Sequence, residues 1–339
     1  MPVLKSIQYL RGLAALAVVL YHALQWTTAY GRTTRGFEAG GAGVDLFFVI
    51  SGFVMWAITA NSPVGPLTFI KRRLLRIGPP YWIATLAALA MAVRWPDIFQ
   101  EVRVGGPAHT ALSLLFLPHE DPRGAPFPLL QPGWTLEYEV LFYGIFAMGL
   151  MLPGRWRIGW IALALASAWL VGEIWRYSYV FIANPLGLEF LGGVLLAEGW
   201  RRGLLRSRRW SLVVIGWALG WLSLLEWLGY RPEFWRPLLW GAPALAIVGA
   251  AVAFETAGAG RPMPALGALG DASYSIYLWH WLVFMPLVRL AGMPAAPIFV
   301  IEALVVAIAA GFAGRSLIEK PLLESRGLRM RDSPTLRAQ

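Results

Sequence analysis

An all-α polytopic membrane protein with about ten transmembrane helices and both termini in the cytoplasm is the fold this sequence predicts. Three observations predict it. Apolar residues fill 58% of the 339 positions and charged residues only 14%, a balance too apolar for a water-soluble chain of this length. Ten near-continuous apolar runs cover roughly 10–28, 44–60, 79–95, 134–152, 156–172, 182–199, 210–228, 237–254, 272–290 and 296–314. Each holds about 17–20 residues, enough to cross a ~30 Å hydrocarbon core at ~1.5 Å per residue. With the N-terminus inside, twenty of the 29 Lys and Arg fall on cytoplasmic segments and nine outside, as the positive-inside rule requires. The net charge of +10 is therefore a topology signal beside membrane lipids and not a nucleic-acid footprint. The absence of Cys excludes disulfides, iron–sulfur clusters and thiol catalysis.

The first run begins near Lys5 and Arg11, but no small-residue cleavage site follows it, so it reads as a span and not as a removed signal peptide. His22 lies in its outer half. Arg11 precedes His22 by close to three helical turns, which puts both on one face about 16 Å apart along the axis. An ionised side chain at mid-membrane costs ~2.5–3.5 kcal/mol on insertion scales, so such residues face the bundle interior with a partner or a task. A ligand with an anionic head and a long thin arm fits this spacing. A topology-anchoring Arg11, with His22 bonded to a neighbouring helix, fits it equally well.

The second run opens GAGVDLFFVISGF at 41–53. Asp45 is expected at a depth similar to that of His22. A carboxylate there either fixes the imidazole tautomer, as in triads built for acyl transfer, or is held by the dipole at the helix N-terminus. Gly40, Gly41, Gly43 and Gly52 leave room for close backbone approach. In FIKRRLLRIGPPYW at 69–82, Arg73 and Arg76 are i,i+3 and Arg72 and Arg76 are i,i+4. They predict a guanidinium pair on one side of a helix at the cytoplasmic surface, suited to phosphate. A positive-inside stop before Pro79–Pro80 is the alternative.

The connection 96–133 is external and Pro-rich, and its apolar piece Ala111–Leu117 is too short to span, so it predicts a re-entrant or interfacial lid. His109 and His119 within it read as ordinary surface residues. The fourth run opens PGWTLEYEVLFY, where Glu137 and Glu139 stand about 200° apart on a helix. One is expected to point inward and the other to meet the external headgroups. The ninth run, DASYSIYLWHWLVF at 271–284, places His280 among aromatic residues, as a site residue or a helix-to-helix hydrogen-bonding group. Glu319 reads as a solvated or salt-bridged terminus at the inner rim. Four His without Cys and without HExxH-type spacing give no metal signature.

Taken in order, these blocks resemble the membrane-bound acyltransferase type 3 family, polytopic enzymes that decorate bacterial cell-surface and exported sugars. The matching elements are Arg11 with His22, GVDLFFVISGF at 43–53, RRLLRIGPPYW at 72–82, WTLEYEVLFY at 134–143, SYSIYLWHW at 273–281 and the closing IEKPL. They span almost the whole chain. The resemblance implies that His22 is the essential catalytic residue and that Arg11 lies on the donor path. It implies that Arg73 and Arg76 form the family's R-x-x-R donor element and that Asp45 and Glu139 occupy family acidic positions. The fourth block departs, reading WTLEYE where many members have WSLSVEE, which leaves the role of Glu137 open.

The same resemblance implies acyl-CoA, most often acetyl-CoA, as donor. The implied acceptor is a hydroxyl of an exopolysaccharide or its lipid-linked precursor, and the implied location is the bacterial inner membrane. The donor head is then expected near Arg11, Arg72, Arg73 and Arg76, its arm reaching His22 as general base or acyl carrier. Asp45 is expected to orient His22, Trp134 or Tyr138 to receive the oxyanion, and His280 to contribute on the substrate side. Residues 1–325 are expected to form one transmembrane acyltransferase domain and 326–339 a disordered basic cytoplasmic tail, without the hydrolase-like domain of some members. Oligomeric state stays open, a homodimer included. A transporter or flippase of a lipid-linked sugar or small anion would use the same intramembrane Arg, Asp and His, but the paired broken helices of inverted repeats are not visible. A scaffold is opposed by the cost of ionisable residues in several separate helices.

Overall fold

In the computed structural model, residues 4–60, 64–175, 185–230 and 235–325 are described. The tail 326–339 lies outside the described residues. Each of the ten apolar runs coincides with a helix. α1 is Lys5–Ala29, α2 is Ala42–Thr59, led by a 3-10 turn at Glu38–Gly41, and α3 is Pro66–Arg94. The connecting segment carries the short α4, Pro107–Leu114. α5 is Trp134–Leu150, α6 Gly154–Trp175, α7 Gly187–Arg201 and α8 Arg208–Trp227. A π turn at Pro237–Gly241 leads into α9, Ala242–Thr256. α10 is Pro264–Ala291, and α11, Ala296–Gly314, continues through a π turn at Arg315–Glu319 into α12, Lys320–Ser325. Among the described residues the secondary structure is helical throughout.

Six of these helices are long and apolar enough to cross a membrane: α1, α2, α3, α8, α9 with its leading turn, and α11 with its continuation. Ten spans were expected. Of the four other helices, α5 with 17 residues and α7 with 15 fall short of that length, and α10 interleaves Asp271, Ser273, Ser275 and His280 with its apolar positions.

Glycine sets the closest helix contacts. A Cβ on Gly270 of α10 would lie 1.9 Å from the Gln8 carbonyl oxygen of α1, and one on Gly12 would lie 2.9 Å from the Gly270 nitrogen. In the same way Gly52 of α2 and Gly193 of α7 each abut the other helix's backbone at 2.0 Å. These contacts admit no larger residue without backbone movement. The N-terminus of α1 is fixed separately, by the Lys5 and Ser6 N–H groups donating to the Glu255 carboxylate at 2.9 and 2.8 Å.

α3 does not stop before Pro79–Pro80. It runs through both prolines as one helix of 29 residues. The prolines lack the N–H groups that would bond the Leu75 and Arg76 carbonyls, and the Tyr274 hydroxyl of α10 donates to the adjacent Ile77 carbonyl at 2.6 Å. Tertiary packing thus carries the helix past a sequence signal that ends most helices.

The connection 96–133 folds back along α3, as a re-entrant segment does. Tyr81 Oη and Trp82 Nε1 donate to the carbonyls of Ser113 and Leu114 at 3.2 and 2.8 Å. Both aromatic residues stand about 18–20 Å along the axis from the end of α3 at Arg94. Phe116 turns the segment with φ of 56° and stacks its ring 4.8 Å from that of Tyr81. His109 and His119 are not surface residues. Both are buried, and His109 Nδ1 and His119 Nε2 are 2.8 Å apart. Arg103 pairs with Asp121, whose carboxylate also accepts from the Arg123 and Ala125 N–H groups.

Candidate active site

Three of the predicted arginines converge. Arg11 of α1 and Arg73 and Arg76 of α3 line a narrow cavity of about 110 Å³, together with Glu139 of α5 and Tyr274 and Tyr277 of α10. Arg73 and Arg76 reach it together because i,i+3 residues share a helix face. Arg72 falls outside that arc and is exposed. Arg11 and Arg76 make no hydrogen bond or direct ion pair among the described residues. The Arg73 guanidinium lies over the Phe69 ring at 5.6 Å.

Glu139 is the cavity's carboxylate. Ser51 Oγ and Tyr143 Oη donate to the same oxygen, Oε1, at 3.1 and 2.6 Å, which leaves Oε2 for the cavity. Glu137 does not meet the headgroup region. It is 3% exposed, and its Oε1 has no hydrogen-bond partner among the described residues. Glu319 is likewise no solvated terminus. The π turn buries it, Ser275 Oγ donates to it at 2.8 Å, and it lies within electrostatic reach of Arg11.

The imidazoles form a second cluster one layer away. His22 of α1 and His280 of α10 stack, with ring centroids 5.3 Å apart and planes at 21°. His22 Nδ1 is 3.0 Å from Gln25 Oε1 and His280 Nδ1 is 2.7 Å from the Tyr277 carbonyl. The Tyr277 carbonyl only accepts, so His280 carries its proton on Nδ1 and presents a bare Nε2, and Gln25 accepting through Oε1 sets the same tautomer on His22. Among the described residues His280 Nε2 is buried without a partner, as is the N–H of Trp281, whose ring stands edge-on to His22 at 5.2 Å. Tyr277 joins the two clusters. It lines the arginine cavity, its ring lies 5.8 Å from that of His280, and its hydroxyl is bonded to Thr135 and the Pro132 carbonyl.

Asp45 does not hold His22. Its carboxylate takes two bonds from Arg236, at 3.1 and 2.8 Å, and is fully buried. The reason lies in the register of α1 against α2: Gly43 packs on Ala14 and Val18, one to two turns short of His22. Nor do Trp134 and Tyr138 meet the His22 ring. They pack on each other at 5.9 Å, and Tyr138 turns towards Phe48 and Phe142. The rings touching His22 are those of Tyr21, His280 and Trp281.

This geometry has a definite chemical competence. Three guanidiniums against one carboxylate attract an anionic head, an imidazole with a bare Nε2 takes a proton or an acyl group, and an orphaned buried N–H is a ready donor to a developing oxyanion. Among the described residues no three His, Asp or Glu side chains are grouped to hold a metal ion. Gln25, Ser51, Tyr143, Tyr277 and Arg236 were not singled out from sequence for these contacts. Gln25 had a signal, its i,i+3 spacing from His22, whereas Arg236 had none, being far from Asp45 along the chain.

Comparison with known proteins agrees with this competence. The acyltransferase 3 family, described as an acyltransferase domain, matches residues 4–315. The exopolysaccharide production protein ExoZ of Rhizobium meliloti (strain 1021) is 33% identical, over 90% of this chain and 94% of its own. Nodulation protein 10 of Rhizobium leguminosarum bv. viciae is 25% identical, over 94% of this chain and 92% of its own. The peptidoglycan O-acetyltransferase OatA of Listeria monocytogenes is 27% identical, over 81% of this chain and 48% of its own. No solved structure matches.

Proposed function

This chain belongs to the acyltransferase 3 family, and from that premise we propose that it moves an acyl group, most often acetyl, from cytoplasmic acyl-CoA to a hydroxyl of an exported carbohydrate. Residues 1–325 form the transmembrane acyltransferase unit, with ten spans, both termini in the cytoplasm and a place in the bacterial inner membrane. The carrying observation is the join at Tyr277 between an arginine-lined cavity and the stacked pair His22–His280.

The phosphorylated head of the donor is held by Arg11, Arg73 and Arg76, and the pantetheine arm runs past Tyr277 towards His22. On the direct route, His22 Nε2 takes the proton of the acceptor hydroxyl as its oxygen bonds to the acyl carbon. The C–S bond then breaks, and the thiolate of CoA takes that proton back from the imidazolium. On the two-step route His22 Nε2 first displaces the thiolate, and the hydroxyl oxygen then bonds to the acyl carbon as the N–acyl bond breaks and the hydroxyl proton passes to the CoA thiolate. On both routes Trp281 Nε1–H donates to the oxyanion, a role in which the loss of one donor costs about 10²–10³ in kcat. Asp45 acts through Arg236 as a positioning residue. Gln25 and the Tyr277 carbonyl fix the two tautomers.

The test is incubation of the purified protein with labelled acetyl-CoA and exopolysaccharide. Alkali-labile label on the sugar, lost in His22→Ala protein that folds normally, is the expected result. A transporter would leave no label, and an unimpaired His22→Ala protein would refute the scheme. Rapid quenching without acceptor separates the routes, because only the two-step route accumulates label on the protein.

A further inference from the structure

A second cavity stands apart from the arginines. It holds about 650 Å³, in the range of small-molecule sites, and Leu141, Trp169, Leu188, Leu238 and Leu245 form much of its wall, with Glu189 at its base. It lies where α5, α7 and α9 begin and α6 ends, the end of the bundle that carries His22 and the re-entrant segment. Its rim is apolar and open, Leu188 being 55% exposed and Leu238 61%. In a membrane-spanning bundle such a rim faces lipid.

Glu189 is the feature that lipid packing alone does not explain. It is 4% exposed, and neither carboxyl oxygen has a hydrogen-bond partner among the described residues. Its carboxyl stands against that of Asp45, and Arg236 lies within electrostatic reach but is engaged by its two bonds to Asp45, so neither neighbour supplies a donor to it. A buried carboxyl without donors is costly unless something arrives to supply them. Among the described residues the lining contains no Lys, Arg or His to meet an anionic headgroup, while a hydroxyl finds a strong acceptor. The groove thus opens at the same end of the bundle as His22, and Tyr21, beside His22, lies within electrostatic reach of Arg236.

We propose that this groove seats the acceptor as a lipid-anchored saccharide, its apolar chain against Leu141, Trp169, Leu188 and Leu245 and a sugar hydroxyl donating to Glu189. The acceptor then enters sideways from the membrane, at the end opposite the donor's arginines. The inference rests on the acyl-transfer reading for the word acceptor, and the binding site itself stands without it.

The experiment uses the full chain in phosphatidylglycerol nanodiscs and dodecyl glucoside carrying a diazirine in its alkyl chain. Photolabelling is expected on peptides containing Leu188 and Leu238, and it should be competed by unlabelled dodecyl glucoside. Ala168→Trp, which fills the groove without a polar change, should abolish it. Glu189→Leu should weaken the apparent affinity at least tenfold, and Glu189→Gln, which keeps an acceptor oxygen, threefold or less. Labelling elsewhere, or groove labelling indifferent to Glu189→Leu and Glu189→Gln alike, would overturn the proposal and leave an ordinary lipid seat. Labelling needs no turnover, so its failure is distinct from failure of the acetyl-CoA assay.

Discussion

His22 and His280, from opposite ends of the chain, stack at 5.3 Å, each with Nδ1 against an acceptor. Stacked this closely, the two rings serve one site. Groups that act as a unit give non-additive losses. His22→Ala should lower kcat by about 10³-fold or more and His280→Phe, which keeps a ring in the stack, by about 10–100-fold. The double variant should be no slower than His22→Ala alone. Steady-state kcat on the four proteins checks this, and multiplicative losses would separate the two rings.

The arginine cavity predicts a contrast between neighbours in sequence. Arg11→Ala and Arg76→Ala each remove a guanidinium that makes no hydrogen bond or direct ion pair among the described residues. A charge-assisted bond contributes about 1.5–3 kcal/mol, so each should raise the KM for acetyl-CoA about 10–100-fold. Arg72 is exposed and outside the cavity, and Arg72→Ala should change it less than about threefold. Equal effects at Arg72 and Arg76 would place the donor head on the surface.

What was legible in the sequence followed from local periodicity. The shared face of Arg73 and Arg76 depends on the 3.6-residue turn alone, and both line one cavity. The divergence of Glu137 and Glu139 took neither to the headgroups, since Glu137 is buried and Glu139 lines that cavity. Partners contributed by distant helices were not legible. Asp45 was assigned to His22 on depth, yet it binds Arg236, which is distant along the chain. Pro79–Pro80 read as a stop because the Tyr274 hydroxyl that supports the neighbouring carbonyl comes from α10. Burial of His109 and His119 follows from the folding back of a segment whose own residues are polar and Pro-rich. Glu189 carried no sequence signal beyond being acidic within an apolar run.

The Asp45–Arg236 pair separates positioning from chemistry. Removing one member of a buried pair strands the other charge and costs about 3–5 kcal/mol, whereas replacing both by apolar groups of similar volume is often neutral. Asp45→Asn should therefore lower the thermal midpoint in detergent, and Asp45→Leu with Arg236→Met should recover most of it. If Asp45 acts by holding the α2 end against Arg236, acyl transfer should return with stability. A stable double variant without activity would give Asp45 a direct part in the reaction.

The α1–α10 seam makes the sharpest demand on a single atom. An alanine Cβ at position 270 would stand 1.9 Å from the Gln8 carbonyl oxygen, and since that obstacle is backbone, one helix must move. Moving α10 from α1 by about 1 Å displaces His280 and Trp281 from His22, and a misplacement of that size costs about 10²-fold in rate. Gly270→Ala should thus lower kcat about 100-fold. Gly12→Ala, whose Cβ would meet backbone at 2.9 Å, should lower it less. Gly216→Ala has nothing within 4 Å and serves as the neutral control, gaining slightly from helix propensity. The KM for acetyl-CoA should move less than kcat in both seam variants, because Arg73 and Arg76 ride on α3. The three alanine variants, compared by kcat, KM and thermal midpoint, give the ordering, and a Gly270→Ala protein of wild-type rate would show that the imidazole stack is not needed for turnover.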